Sequence, residues 1–131
     1  MGYGYLASPY SGSVEVMQQR YEAALRIVGI LLKKREWVYS PIVHAHEIAV
    51  RYAMPRDAKF WWEYNKTMME AAERLLVLTL PGWRESVGVA MEVEFFSPLS
   101  KPILFVNPID AGLGERPWAA PVIPPFELHA H

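Results

Sequence analysis

Hydrophobic positions in this chain fall into two patterns, short unbroken runs and longer stretches spaced by three and four, and their alternation predicts the fold. Tyr3 to Ala7 is short, aromatic and apolar, and it runs into Ser8-Pro9-Tyr10-Ser11-Gly12-Ser13, a cluster of turn and capping residues. This reads as a strand followed by a loop. From Val14 to about Arg35 the apolar positions Met17, Tyr21, Ala24, Leu25, Val28, Leu31 and Leu32 recur at three and four between Gln18, Gln19, Glu22, Arg26 and Lys33. That spacing predicts a long amphipathic helix. Trp37 to Ser40 is a second short strand, stopped by Pro41, and Ile42 to Glu47 follows, leading into a short helix to about Tyr52.

Asp57 is placed to cap a helix running to about Glu73, with Trp61, Tyr64, Met68 and Ala71 or Ala72 on one face. Leu75 to Leu80 is a continuous apolar run, the pattern of a central parallel strand covered on both faces. A helix from about Ser86 to Phe96 and a last strand, Ile103 to Val106, complete the series. Strands alternating with helices imply parallel crossovers, because parallel neighbours need a connection of a dozen residues or more. The expected fold is therefore an α/β three-layer sandwich, with a flavodoxin- or Rossmann-like parallel sheet of four to five strands. This domain covers residues 1–108, and residues 109–131 form a Pro-rich, extended C-terminal tail. Trp118, Val122, Ile123 and Phe126 in that tail are apolar enough to lie across a neighbouring subunit.

Composition narrows the possibilities. A chain of 131 residues suits one domain. The hydrophobic fraction of 52%, with five Trp, seven Tyr and five Phe, implies a dense core or a surface covered by a partner, so a homo-oligomer is expected. The formal charge is −1 and the basic residues are scattered, unlike the footprint of a protein that binds a nucleic-acid polymer. No cysteine is present, so thiolate chemistry is excluded. No apolar run spans a bilayer, and Met1-Gly2-Tyr3-Gly4 lacks the regions of a signal peptide, so a cytoplasmic location with no membrane partner is expected.

In an open parallel sheet, ligands sit beyond the carboxyl ends of the strands, where the following helices present free backbone N–H groups. Two loops should meet there, Ser8 to Ser13 and Pro81 to Glu92. Ser8, Ser11 and Ser86 could donate to an anion, although Ser8, Ser11, Ser13 and Ser86 would equally serve as helix caps. Glu92 falls between Val89 and Val93, where a buried face would carry an apolar residue. A carboxylate there is paired, hydrated or functional, unless it is an exposed charge alternating with Glu94. The spaced glycines of a dinucleotide site and the glycine loop of a nucleoside triphosphatase are both missing, and no cofactor is expected. His44 and His46 would share one side of an extended segment and could hold a metal, but no third ligand stands nearby. They are read as hydrogen-bonding walls of a pocket, with no metal site. Trp61, Trp62 and Tyr64 could stack on a nucleobase, though aromatic residues at helical spacing are more often core or interface.

The segments YLASPY at 5–10, SPIVHAH at 40–46, LPGWRESVGVAMEVE at 80–94 and KPILFVNP at 101–108 resemble the nucleoside 2-deoxyribosyltransferase-like superfamily, and within it a small bacterial and phage branch. The resemblance covers residues 3–108, and its most specific element is the Ser-x-Gly-Val-x-x-Glu spacing from Ser86 through Gly88 to Glu92. It implies that Glu92 is a nucleophile attacking the anomeric carbon of a nucleoside, as in a retaining glycosidase, and that Tyr5 orients it. Members acting on free nucleosides tend to carry an acid where this chain has Ser86, whereas nucleoside 5′-monophosphate N-glycosidases carry Ser to hold the phosphate. The resemblance thus implies hydrolysis of a nucleoside 5′-monophosphate, with Ser8, Ser11, Ser86, Gly88, His44, His46 and Asn65 binding the substrate. One departure concerns Asn65, which stands where the superfamily has a second acid and cannot act as a general acid. Base exchange between deoxynucleosides and a non-catalytic nucleotide-binding module are the alternatives.

Overall fold

The computed structural model describes residues 2–113. Four strands, β1 (Gly4–Ala7), β2 (Val38–Tyr39), β3 (Arg74–Leu78) and β4 (Ile103–Val106), form one sheet in the order β2-β1-β3-β4. Every pairing is parallel, with Tyr5 opposite Tyr39 and Leu75, and Leu76 opposite Leu104. Helices α1 (Val14–Lys33), α2 (Pro41–Arg51), α3 (Ala58–Ala71) and α4 (Val87–Phe96) connect and flank them, giving a flavodoxin-like α/β fold.

Side chains alternate across a strand, so the two central strands divide their residues between two cores. Leu6, Leu76 and Leu78 pack with Ala23, Ile27 and Leu31 of α1. On the other face Tyr5, Ala7, Leu75 and Val77 meet Met69 and Ala72 from the α3 end, and Val89 and Phe96 of α4. This makes three layers. Strands β1 and β3 are covered on both sides, whereas β4 is an edge that leaves Leu104 and Phe105 exposed.

Both long helices are rotated relative to the faces that spacing predicts. On α1 the buried residues are Tyr21, Ala23, Ala24, Ile27 and Leu31, and Leu32 is 42% exposed. The helix has apolar residues around most of its circumference in its last turns, so period alone leaves its orientation open. On α3 the inward face runs through Trp62, Asn65, Met69 and Ala72, and Tyr64 is exposed. Asp57 precedes α3 at the capping position without a side-chain cap bond.

Element ends also shift for local reasons. Ser40 caps α2 by accepting from the Val43 N–H at 3.1 Å, so Pro41 opens a helix as its first residue. Strand β3 stops at Leu78, after which the Leu80 N–H turns back to the Leu78 carbonyl at 2.9 Å. The chain after Asn107 is not extended at once. Ile109–Leu113 makes a π-helical turn that buries Leu113 against α1, and the Pro-rich segment from Pro117, with its apolar residues, lies outside the described residues. No helix among the described residues is long and apolar enough to cross a membrane.

The order β2-β1-β3-β4 places a topological switch between β1 and β3, the position where loops diverge and leave a crevice. Arg20 of α1 fixes both of those loops, donating to the Ser11 carbonyl at 2.9 Å and the Pro81 carbonyl at 3.2 Å. Next to Pro81, Gly82 has φ of +91°, and a Cβ there would come within 2.5 Å of the Arg20 guanidinium.

The rotated face of α1 predicts unequal costs. Ile27→Ala should lower stability by about 2–5 kcal/mol, whereas Leu32→Ala should stay below about 1 kcal/mol. Urea unfolding of the two variants measures both, and equal losses would contradict this packing.

Candidate functional site

At the β1–β3 switch the carboxyl ends of the strands open into a cleft that is partly continuous with solvent. Ser8, Tyr10 and Ser11 come from the loop after β1, His46 from α2, Arg56 and Asp57 from the turn before α3, Trp61 and Asn65 from α3, and Ser86, Gly88 and Glu92 from the start of α4.

Glu92 reaches the cleft because α4 turns its Val89-Glu92-Phe96 stripe inward, with all three residues buried. Glu94 is exposed, so the two acids do not alternate on one solvated face. Behind Glu92, Tyr5 of β1 is wholly buried and its hydroxyl donates to Glu92 Oε2 at 2.6 Å. Burial pushes the Glu92 carboxyl up to about 8, with the Tyr5 hydrogen bond opposing the rise. Burial likewise pushes the Tyr5 hydroxyl well above its usual range, and the neighbouring Glu92 charge adds to the effect. Tyr5 therefore stays protonated, a fixed donor to whichever form of the carboxyl is present.

The serines separate into two kinds. Ser13 accepts from the Val16 N–H at 3.1 Å, outside the cleft, and acts as a helix cap. Ser86 also caps, accepting from the Val89 N–H at 3.2 Å, but it lines the cleft and retains its own proton to donate. Ser8 Oγ is buried at the cleft with no hydrogen-bond partner among the described residues. A buried hydroxyl without a partner carries a desolvation cost that a polar ligand would offset. A Cβ on Gly88 would meet Ala58 Cβ at 3.7 Å and Ser86 Oγ at 3.9 Å, ordinary contact distances.

The two histidines do not share a side. They stand on α2, where residues two apart point about 200° from each other. His44 is exposed, stacks on Tyr64 with ring centroids 5.3 Å apart and meets its hydroxyl at 2.9 Å, so it joins α2 to α3 away from the cleft. His46 is buried at the cleft, stacked on Tyr21 at 4.1 Å. Burial, aided by the Arg56 charge, lowers its pKa. Among the described residues, no three His, Asp or Glu side chains converge in a way that would hold a metal ion. The aromatic trio divides as well. Trp61 lines the cleft with its Nε1 donating to the Pro55 carbonyl at 2.8 Å, Trp62 packs edge-on against Phe95, and Tyr64 goes to His44.

Sequence reasoning missed Arg56 and Asp57 as cleft residues. Their segment, Met54-Pro55-Arg56-Asp57, has no period and reads as a break between helices, with Asp57 as the cap of the second. The available signal was a charged pair at the entry of a helix that ends beside a central strand.

The chain belongs to the DUF1937 family, described as a domain of unknown function, whose family model matches residues 2–107. That span contains all four strands and every cleft residue named above. No curated protein matches the chain.

Because the folded protein holds the Glu92 proton more tightly than the unfolded chain, this group's contribution to stability is full below pH 4.5 and is lost as pH rises to about 8. The loss approaches about 1.4 kcal/mol per pH unit inside that window. Glu92→Gln mimics the neutral acid, so it should match the parent's melting temperature at pH 5 and exceed it by on the order of 10 °C at pH 9. Scanning calorimetry at the two pH values checks this, and an equal difference at both would contradict burial as the cause.

Proposed function

We propose that the protein cleaves the N-glycosidic bond of a nucleoside 5′-monophosphate, with Glu92 as the nucleophile. The observation that carries this reading is a carboxyl group at the floor of an open cleft, held through one oxygen by a tyrosine buried behind it. The resemblance to the nucleoside 2-deoxyribosyltransferase-like superfamily, on Tyr5 and the Ser86 to Glu92 spacing, supports the same assignment.

The chemistry follows from the arrangement. Tyr5 occupies Oε2, leaving Oε1 to attack the anomeric carbon. As the new C–O bond forms, the bond to the base breaks, and its electron pair leaves on the base nitrogen, which takes a proton from water. The glycosyl ester is then opened by a second water, whose oxygen bonds to the anomeric carbon while the carboxylate departs and a proton passes to solvent. Net, one water is consumed and free base and a sugar phosphate are formed. Ser8, Ser11 and Ser86 supply hydroxyl donors to the phosphate beside Gly88, and Asn65 and Trp61 lie on the same cleft to meet the base. Base exchange is the same chemistry with a second base in place of water, and adding a free base would reveal it as a new nucleoside product. A homo-oligomer fits the exposed Val50, Tyr52, Phe60 and Tyr64 on α2, the segment after it, and α3.

One observation favours a second reading. With its pKa near 8, Glu92 is mostly neutral at pH 7, and Asn65 supplies no second acid, as expected of a module that binds a nucleotide without cleaving it. Tight binding without base release, unaffected by Glu92 substitution, would support that module.

Glu92→Gln should lower base release by about 10³-fold or more while leaving nucleotide affinity within a few-fold. Unchanged turnover would sink the nucleophile. Since attack requires the ionised carboxylate, the parent rate should rise through a pH limb near 8. Tyr5→Phe removes the bond that opposes the raised pKa, so its limb should move to higher pH. A limb that falls through this range would instead mark Glu92 as an acid.

A further inference from the structure

We infer that Arg56 is the residue that selects a phosphorylated sugar in this cleft, with a hydrogen-bonded chain of Tyr10, His46 and Gln18 turning an acceptor oxygen towards its charge. The inference rests on the reading of the cleft as a sugar-phosphate site and adds the source of its charge selectivity.

Arg56 is the only Lys or Arg among the described residues lining the cleft. The nearby Arg20 is already engaged by the carbonyls of Ser11 and Pro81, and Arg84 lies over the Trp83 ring. Arg56 forms no ion pair among the described residues. Its guanidinium lies 4.0 Å from Met17 Sδ, and its charge acts on the Tyr10 hydroxyl. It is half-buried, so its charge is screened less than that of a surface arginine. A guanidinium that is held in a cleft and lacks a carboxylate partner is suited to a phosphate, which it can bind through two parallel N–H donors.

The chain behind it has a definite direction. Gln18 Nε2 donates to Glu22 Oε2 at 3.0 Å, which fixes the amide and turns its Oε1 towards His46. His46 Nε2 lies 3.1 Å from that oxygen and must carry the ring proton to bond it. Nδ1 is then an acceptor, and the Tyr10 hydroxyl donates to it at 2.5 Å. With its proton committed, the Tyr10 oxygen presents only lone pairs, which the nearby Arg56 charge attracts. Stacking on Tyr21 holds the His46 ring in plane for this relay. His46 is thus a positioning residue that acts through Tyr10. Independently, Ser8 Oγ is an unpartnered hydroxyl, buried on the same cleft, with a proton to offer an anionic oxygen.

The test uses the full chain carrying Glu92→Gln, so that binding is read without turnover, and titrates ribose 5-phosphate, ribose and inorganic phosphate calorimetrically. Ribose 5-phosphate should bind about 10- to 100-fold more tightly than ribose, and Arg56→Ala should erase that preference while leaving ribose affinity unchanged. Arg56→Lys should recover part of it, because a point charge replaces only part of a two-donor fork. Tyr10→Phe should weaken ribose 5-phosphate and inorganic phosphate by about 3- to 10-fold and leave ribose unchanged, which a general loss of structure would not do. Equal binding of ribose and its phosphate, no binding of ribose 5-phosphate at millimolar concentration, or a preference that survives Arg56→Ala would each overturn the inference. Arg56-dependent phosphate binding in a protein that releases no base would support it while removing the nucleophile.

Discussion

A carboxyl group taken out of water needs a hydrogen-bond donor, and the bond from Tyr5 to Glu92 is the interaction on which the rest of this site depends. Tyr5 belongs to a strand whose four residues are all buried, so its hydroxyl has little freedom to move. Glu92 belongs to a helix started by Ser86, and Val89 and Phe96 on the same stripe commit that helix to the core. The bond therefore ties the centre of the sheet to the first turns of α4. It sets the depth at which the cleft ends.

Two further constraints turn that floor into a site. The parallel order β2-β1-β3-β4 makes the loops after β1 and β3 diverge, and Arg20 holds them at a fixed separation through two backbone carbonyls. Around the opening, hydroxyls come from the β1 loop and the α4 cap, and a guanidinium comes from the turn before α3. The acid therefore lies in a cleft that also carries the Arg56 guanidinium, the Asp57 carboxylate and hydroxyl donors. The raised pKa of Glu92 is a physical consequence of its depth, opposed by Tyr5.

Much of this was legible in the order of residues. The unbroken run Leu75 to Leu80 reads as a covered strand because both of its faces are buried, and the Ser86 to Glu92 spacing locates the helix and its acid because a cap and an inward stripe are both local patterns. The faces of α1 and α3 were legible only in part: Tyr21, Ala24, Leu31 and Ala72 are buried as their spacing implies, but extra apolar residues such as Leu25, Leu32 and Tyr64 satisfy the same period, and tertiary packing sets the final rotation. The His44 and His46 pair was misread because spacing by two means opposite things on a strand and on a helix. Arg56 escaped because a loop residue owes its position to distant neighbours, here Met17 of α1, and no period marks it. The turn at Ile109–Leu113 was not legible for a similar reason, as it has no strand or helix pattern and is held by the packing of Leu113 on α1.

The central claim is that the carboxyl held by Tyr5 forms a covalent bond to the sugar. Mass spectrometry of the acid-quenched protein, digested after brief mixing with nucleoside 5′-monophosphates, tests it most directly. The account predicts that the peptide containing Glu92 gains the mass of one sugar phosphate residue, and that Glu92→Gln abolishes this adduct. Free base appearing while that peptide stays unmodified, or an adduct on a different peptide, would contradict it.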